Sequence, residues 1–166
     1  LNSINISTCI NLEYLVLTDN NVTSLDVSNN SLLSQLYLEN TMISNIDFSN
    51  LVNLKSLNIA NNVFSTLDLS NNVNLEQLVC SEIMASSIDL SNNISLRQLH
   101  CDGMLNLTSL DIRNGNNSSF NSNNSETLFM GLFYQSGGHP LYSPNAPNGN
   151  TSSLDFFATN LPNLNC

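Results

Sequence analysis

An apolar frame of the form Leu-x-x-Leu-x-Leu returns every 21 residues, and this constrains the chain more than any other feature. It reads Leu12/Leu15/Leu17, Leu33/Leu36/Leu38, Leu54/Leu57/Ile59, Leu75/Leu78/Cys80 and Leu96/Leu99/Cys101. A second frame lies between the copies of the first: Val22/Leu25/Val27, Ile43/Ile46/Phe48, Phe64/Leu67/Leu69, Ala85/Ile88/Leu90 and Leu107/Leu110/Ile112. Its last step is 22 residues, which places one extra residue near 104–107. Alternate residues of an extended strand face the same way, so the two apolar residues of each L-x-L enter a core and the middle one meets solvent. One turn cannot bury its own leucine row. Turns stacked about 4.8 Å apart bury a continuous one. The expected fold is a mostly β solenoid with short parallel strands on two walls, little helix and one long insertion.

These residues resemble the leucine-rich-repeat family, and the nested 21-residue form LxxLxLxxNxLxxLDLxxN is similar to the subclass called IRREKO. The resemblance covers 1–113 and resumes at 161–166, where Leu161/Leu164/Cys166 match the first frame. It implies a secreted or cell-surface protein, of the kind found in Bacteroidetes-like bacteria, that binds ligands on its concave strand face. The asparagine that closes the first frame stands at Asn20 and Asn62 but is replaced by Thr41, Ile83 and Met104, so a ladder at that corner is interrupted. Leu1/Ile4/Ile6 match the second frame, and neither end shows a polar capping unit. The expectation is that the coil continues or stacks on a neighbour.

Residues 114–160 break the period and read as an insertion. This stretch collects Gly137-Gly138, three of the four prolines and seven of the eleven aromatics. Ser125 ahead of 126–134 has the form of an N-cap before one short helix, and the remainder reads as loop. Insertions of this kind map to one face and often bind, although aromatics that fold back over the coil give the same composition.

Charge narrows the function. Thirteen acids stand against three bases, Lys55, Arg97 and Arg113, for a formal charge of −10. Such a chain has nothing with which to neutralise a run of phosphates, so nucleic acid is not an expected partner, nor is an anionic membrane surface. No run of 18 apolar residues offers a spanning helix. Nine Asn-x-Ser/Thr triplets occur at Asn5, Asn21, Asn29, Asn93, Asn106, Asn116, Asn117, Asn123 and Asn150; they are glycan acceptors only in a secreting eukaryote.

Motifs for catalysis are missing: no nucleophile elbow, no His-Glu-x-x-His and no phosphate-binding glycine loop. No enzyme, cofactor or metal is expected. Asp26, Asp47, Asp68, Asp89 and Asp111 form a ladder at the outward middle of the second frame, with Ser28, Ser49, Ser70 and Ser91 two residues on. A carboxylate ladder that hydrogen-bonds its own corner explains it better than Ca²⁺, because the clustered spacing of a calcium loop is absent. Of the cysteines, Cys80, Cys101 and Cys166 replace an inward leucine and are expected to pack as small apolar groups, whereas Cys9 is out of phase. Candidate binding residues are Tyr14, Gln35, Tyr37, Gln77, Gln98 and His100 on the outward row of the first frame. Phe129, Phe133, Tyr134, His139 and Tyr142 are the candidates in the insertion. The expected function is extracellular recognition or adhesion toward protein or glycan. The alternative is a structural repeat unit of a surface filament, assembled from copies of itself through its open ends and insertion.

Overall fold

The outward–inward alternation of each Leu-x-Leu leaves three residues to form a strand before the chain must turn, and the strands found are that short. The computed structural model describes residues 1–113 and 155–157. Along the chain run β1 (Tyr14–Val16), β2 (Gln35–Tyr37), β3 (Ser56–Asn58), β4 (Gln77–Val79), β5 (Ser87–Asp89), β6 (Gln98–His100), β7 (Ser109–Asp111) and β8 (Asp155–Phe157). One wall is a six-stranded parallel sheet in the order β1-β2-β3-β4-β6-β8, and the other carries the parallel pair β5-β7. No helix occurs among the described residues. The chain is a parallel β-solenoid of leucine-rich-repeat type.

Register follows the period. Leu15 stands beside Leu36, Leu36 beside Leu57, Leu57 beside Leu78 and Leu78 beside Leu99. Each carries its neighbours' apolar side chains above and below, and Leu36, Leu57, Leu78 and Leu99 are buried. From the second wall Val27, Phe48, Leu69 and Leu90 close the same core. Phe48 and Phe64 stack within it, ring centroids 6.3 Å apart.

The two walls differ in a way that the apolar pattern does not show. Both frames predict strands, yet among the described residues the second frame forms a ladder only at β5 and β7. Elsewhere that wall is held by its buried side chains and by single bonds between turns, such as Met42 N–H to Val22 O at 3.0 Å and Met84 N–H to Phe64 O at 2.9 Å. The 22-residue step is absorbed at Asn106. Met84 and Leu105 remain exposed equivalents, Ala85 and Leu107 remain buried equivalents, and Asn106 is the residue between them. Ser87 still pairs with Ser109 and Ile88 with Leu110.

Two asparagine columns and one column of left-handed residues build the corners. Asp19, Asn40, Asn61, Glu82 and Gly103 all have φ between 54° and 66°. Asp, Asn and Gly adopt this region readily, whereas Glu82 does so at a cost. At the same corner the buried Asn62 donates to the carbonyls of Leu38, Ile59 and Ala60 and accepts from Thr41 Oγ1 and Ile43 N. At the opposite corner Asn30, Asn72 and Asn93 each donate twice to carbonyls of the preceding turn, with Leu51 taking the fourth place in the column.

The sheet resumes earlier than the frame match at Leu161 suggests. β8 pairs with β6, Leu99 beside Phe156, so Asp155–Phe157 takes the next strand position. The stretch 161–166 and the helix expected at 126–134 lie outside the described residues.

Candidate binding face

Two columns of side chains face outward from β1, β2, β3, β4 and β6, because the middle residue of each of these strands points inward. The first column runs Tyr14, Gln35, Ser56, Gln77, Gln98, and the second runs Val16, Tyr37, Asn58, Val79, His100. Asp155 and Phe157 hold the next register positions of the two columns. Four of the expected binding residues, Tyr14, Gln35, Gln77 and Gln98, thus fall in the first column, and two, Tyr37 and His100, in the second.

The face has two chemically different ends. Tyr14 and Tyr37 lie on the diagonal between columns with ring centroids 5.8 Å apart and planes tilted by 59°. Tyr14 is 55% exposed and Val16 46%, so this end presents aromatic and aliphatic surface to solvent. Tyr37 Oη donates to Gln35 Oε1 at 3.4 Å. Further along, Ser56 Oγ donates to Gln77 Oε1 at 3.0 Å and Gln77 Nε2 donates to Gln98 Oε1 at 2.7 Å. These bonds fix the rotamers of neighbouring amides, and part of the ordering entropy of a flexible glutamine row is already spent before any ligand arrives.

Along β1, β2, β3, β4 and β6, acidic and basic side chains stand at the margins of the face. Where the strands end stand Asp19, Glu39, Glu82 and Asp102. Asn58 Nδ2 donates to Glu39 Oε2 at 3.0 Å and Asn40 Nδ2 to Asp19 Oδ1 at 2.6 Å. Where the strands begin stand Glu13, Lys55, Glu76 and Arg97, with Lys55 Nζ 3.8 Å from Glu76 Oε1.

The aspartate ladder of the second wall does what its spacing predicts. Asp26, Asp47, Asp68 and Asp89 each accept at Oδ1 from the backbone N–H two residues on, Ser28, Ser49, Ser70 and Ser91, at 2.9–3.0 Å. Hydrogen bonds from those serines, backbone and hydroxyl, hold the four carboxyls below their ordinary range. Asp111 falls furthest, to about 2, because the Arg113 side chain and N–H both bond it. Asp47 and Asp68 also border a shallow depression of about 230 Å³ with Asn45, Ser49 and Asn72. Among the described residues no three acidic, histidine or cysteine side chains converge as a metal site.

Cys80 and Cys101 are buried free thiols on successive turns, and Cys9 is exposed. Cys80 Sγ lies 3.5 Å from the His100 carbonyl. Burial pushes the Cys80 thiol up, and burial together with the nearby Asp102 carboxylate pushes Cys101 up to about 12. Both stay protonated at neutral pH and pack as small apolar groups; neither is a nucleophile. Phe129, Phe133, Tyr134, His139, Tyr142 and Cys166 lie outside the described residues.

The rim of carboxylates and the Asn30/Asn72/Asn93 column were not singled out by the sequence. The first needed the register that brings 19, 39, 82 and 102 to one edge. The second was hidden in the repeated Ser-Asn-Asn of 28–30, 70–72 and 91–93, where two adjacent asparagines look alike and only the second is buried.

Neither a protein-family model nor a curated protein matches the sequence. Solved structures share the fold. The functional domain of InlJ from Listeria monocytogenes, described as including a cysteine ladder, superposes with a TM-score of 0.61 at 23% identity, over 67% of this chain and 27% of that one. The internalin InlF from the same organism gives 0.55 at 25% identity, over 64% of this chain and 37% of its own. This chain therefore spans 27% to 37% of the length of those structures.

Proposed function

We propose that this chain is a recognition or adhesion module of a secreted or cell-surface protein, built of nested IRREKO-type repeats, which takes a protein or glycan ligand on the outward face of its six-stranded sheet and on the insertion 114–160. The observation that carries this reading is the pairing of exposed Tyr14 with half-buried Tyr37 beside Val16, at one end of a row of pre-bonded amides. Aromatic rings with a polar tip supply large contact area at small entropic cost, and neutral amides supply directional bonds. With three bases against thirteen acids, phosphate-rich partners are disfavoured. No helix among the described residues is long and apolar enough to cross a membrane.

The test is capture on arrays of glycans and of purified surface proteins, by wild type and by a Tyr14→Ser/Tyr37→Ser variant of unchanged melting temperature. Ligands retained by wild type and lost by the variant support the face. Equal capture by both moves the function to the insertion or removes it.

A second reading, a structural repeat unit that assembles with copies of itself, has its own observation. Met42, Val63, Met84 and Leu105 form an exposed apolar stripe along one corner of the coil, and Val52, Val73 and Ile94 form another along the opposite corner. Exposed apolar stripes of this length favour side-by-side association. Sedimentation across a concentration series separates the two: a filament unit grows with concentration and a recognition module stays one size.

A further inference from the structure

The sheet face proposed above as the binding surface has an uncharged middle and an asymmetric border, and the asymmetry selects among partners. The edge at the strand ends carries Asp19 and Glu39 on successive turns, then a turn with the neutral pair Ala60 and Asn61, then Glu82 and Asp102 on successive turns. Backbone bonds hold each acidic pair together: Asp19 N–H donates to Glu39 O at 3.0 Å, and Glu82 N–H donates to Asp102 O at 2.8 Å. The three bases stand elsewhere. Lys55 and Arg97 lie at the strand-start edge, and Arg113 lies on the second wall against Asp111. The hydrogen bonds that Asp19 and Glu39 accept come from the neutral amides of Asn40 and Asn58, which orient the carboxylates without cancelling their charge.

We propose that this face docks a cationic polypeptide, whose apolar or aromatic side chains rest on Tyr14 and Tyr37 and whose Lys or Arg side chains reach the rim of Asp19, Glu39, Glu82 and Asp102. The inference rests on the sheet-face reading and adds the charge of the partner. The two acidic pairs are centred three turns apart, about 14 Å at the spacing of stacked strands. Four residues of extended chain cover about the same span, so basic groups at positions i and i+4 of an extended segment meet both pairs. A protein surface whose basic groups have that separation meets them equally well. A neutral glycan gains nothing from the rim, and an anionic one is repelled by it. Solvent-exposed rim charges act chiefly on encounter rate and on choice of partner, within a Debye length of about 8 Å at physiological salt.

The probe is a fluorescein-labelled peptide of nine arginines, followed by anisotropy at low and at physiological ionic strength. Three proteins are compared with wild type. The first carries Asp19→Asn, Glu39→Gln, Glu82→Gln and Asp102→Asn. The second removes the same charge from the other wall by Asp26→Asn, Asp47→Asn, Asp68→Asn and Asp89→Asn. The third carries Tyr14→Ser and Tyr37→Ser. Melting curves establish that all are folded. The expected result is a loss of at least about tenfold in affinity for the rim variant, against less than about threefold for the second-wall variant of identical net charge. Equal loss in both overturns the proposal, because net charge alone then attracts the peptide, and so does a rim variant that binds like wild type. If in either case the tyrosine variant still loses its array ligands, the sheet face remains the binding surface and its ligand is a neutral glycan or an uncharged protein surface. A rim variant that loses the peptide while the tyrosine variant binds peptide and array ligands normally overturns the proposal through its premise, since the sheet face is then not the docking surface.

Discussion

Asn62 is the residue whose removal tests the corner architecture most directly. Its side chain is buried and makes five hydrogen bonds, three donated by Nδ2 to Leu38 O (2.8 Å), Ile59 O (3.1 Å) and Ala60 O (3.0 Å), and two accepted by Oδ1 from Thr41 Oγ1 (2.6 Å) and Ile43 N (3.2 Å). Replacement by Ala leaves the carbonyl of Ala60 with its bond from Asn40 N–H, so that group loses little. The Thr41 hydroxyl and the Ile43 amide are buried donors that lose the acceptor they share. An orphaned buried donor costs about 1–3 kcal/mol, which places Asn62→Ala at about 4 kcal/mol, within a span of roughly 2–6. At roughly 3 °C per kcal/mol for a chain of this size, the melting temperature falls by about 12 °C. Asn72→Leu is the internal control. The carbonyls it serves, Phe48 O and Leu51 O, also accept from Leu51 N–H at 3.0 Å and Leu54 N–H at 3.1 Å, and the same column already holds Leu51. Its cost is therefore about 1 kcal/mol. Far-UV circular dichroism melts and urea titrations of the two variants give the comparison. The reasoning fails if Asn62→Ala melts within about 3 °C of wild type, or if the two substitutions cost the same.

Other outcomes follow from the same structure. Gly103→Ala is expected to lose about 1–2 kcal/mol, since φ is +66° and an added Cβ would lie 2.8 Å from Glu82 Cγ. Glu82→Asn, which puts a residue tolerant of φ 60° in the same column, is expected to gain about 0.5–1 kcal/mol; opposite signs in urea titrations would refute the account of this corner. Leu57→Asp buries a carboxylate between Leu36 and Leu78 at several kcal/mol, so loss of the cooperative melt is expected, and a wild-type melting temperature would disprove the register. The ladder aspartates have folded-state values below their ordinary 3.8, Asp111 at about 2, so their stabilisation is complete above that ordinary value and disappears as pH falls through the folded values. Melting temperature is thus expected to hold from neutral pH to about 5 and to drop between about 4 and 2. Changing Asp26, Asp47, Asp68 and Asp89 together to Asn keeps the bond to the i+2 N–H and flattens that drop; parallel curves for variant and wild type would contradict the assignment.

The architecture is legible in the repeat alone, because burial in a stacked coil depends only on which positions recur. A 21-residue apolar frame admits one register, so Leu15, Leu36, Leu57, Leu78 and Leu99 had to stack, and the outward positions between them had to form the face that holds Tyr14, Tyr37, Gln77 and Gln98. The aspartate ladder was legible for the same reason, since an i to i+2 bond is local. Partnerships across turns are visible only in the folded coil. Asn29 and Asn30 are indistinguishable as letters, and only the path of the corner buries the second against Ile6 O and Cys9 O. The second frame has the same apolar alternation as the first, yet among the described residues it forms a ladder only at β5 and β7, because strand pairing requires aligned backbones and apolar burial does not. The pairing of β8 with β6 is another such partnership, since no repeat spacing marks Asp155–Phe157 as a strand. The acidic rim, too, is assembled by winding the coil: Asp19 and Glu82 share one place in the period, Glu39 and Asp102 the place before it, and the stacking of turns brings all four to one edge of the sheet.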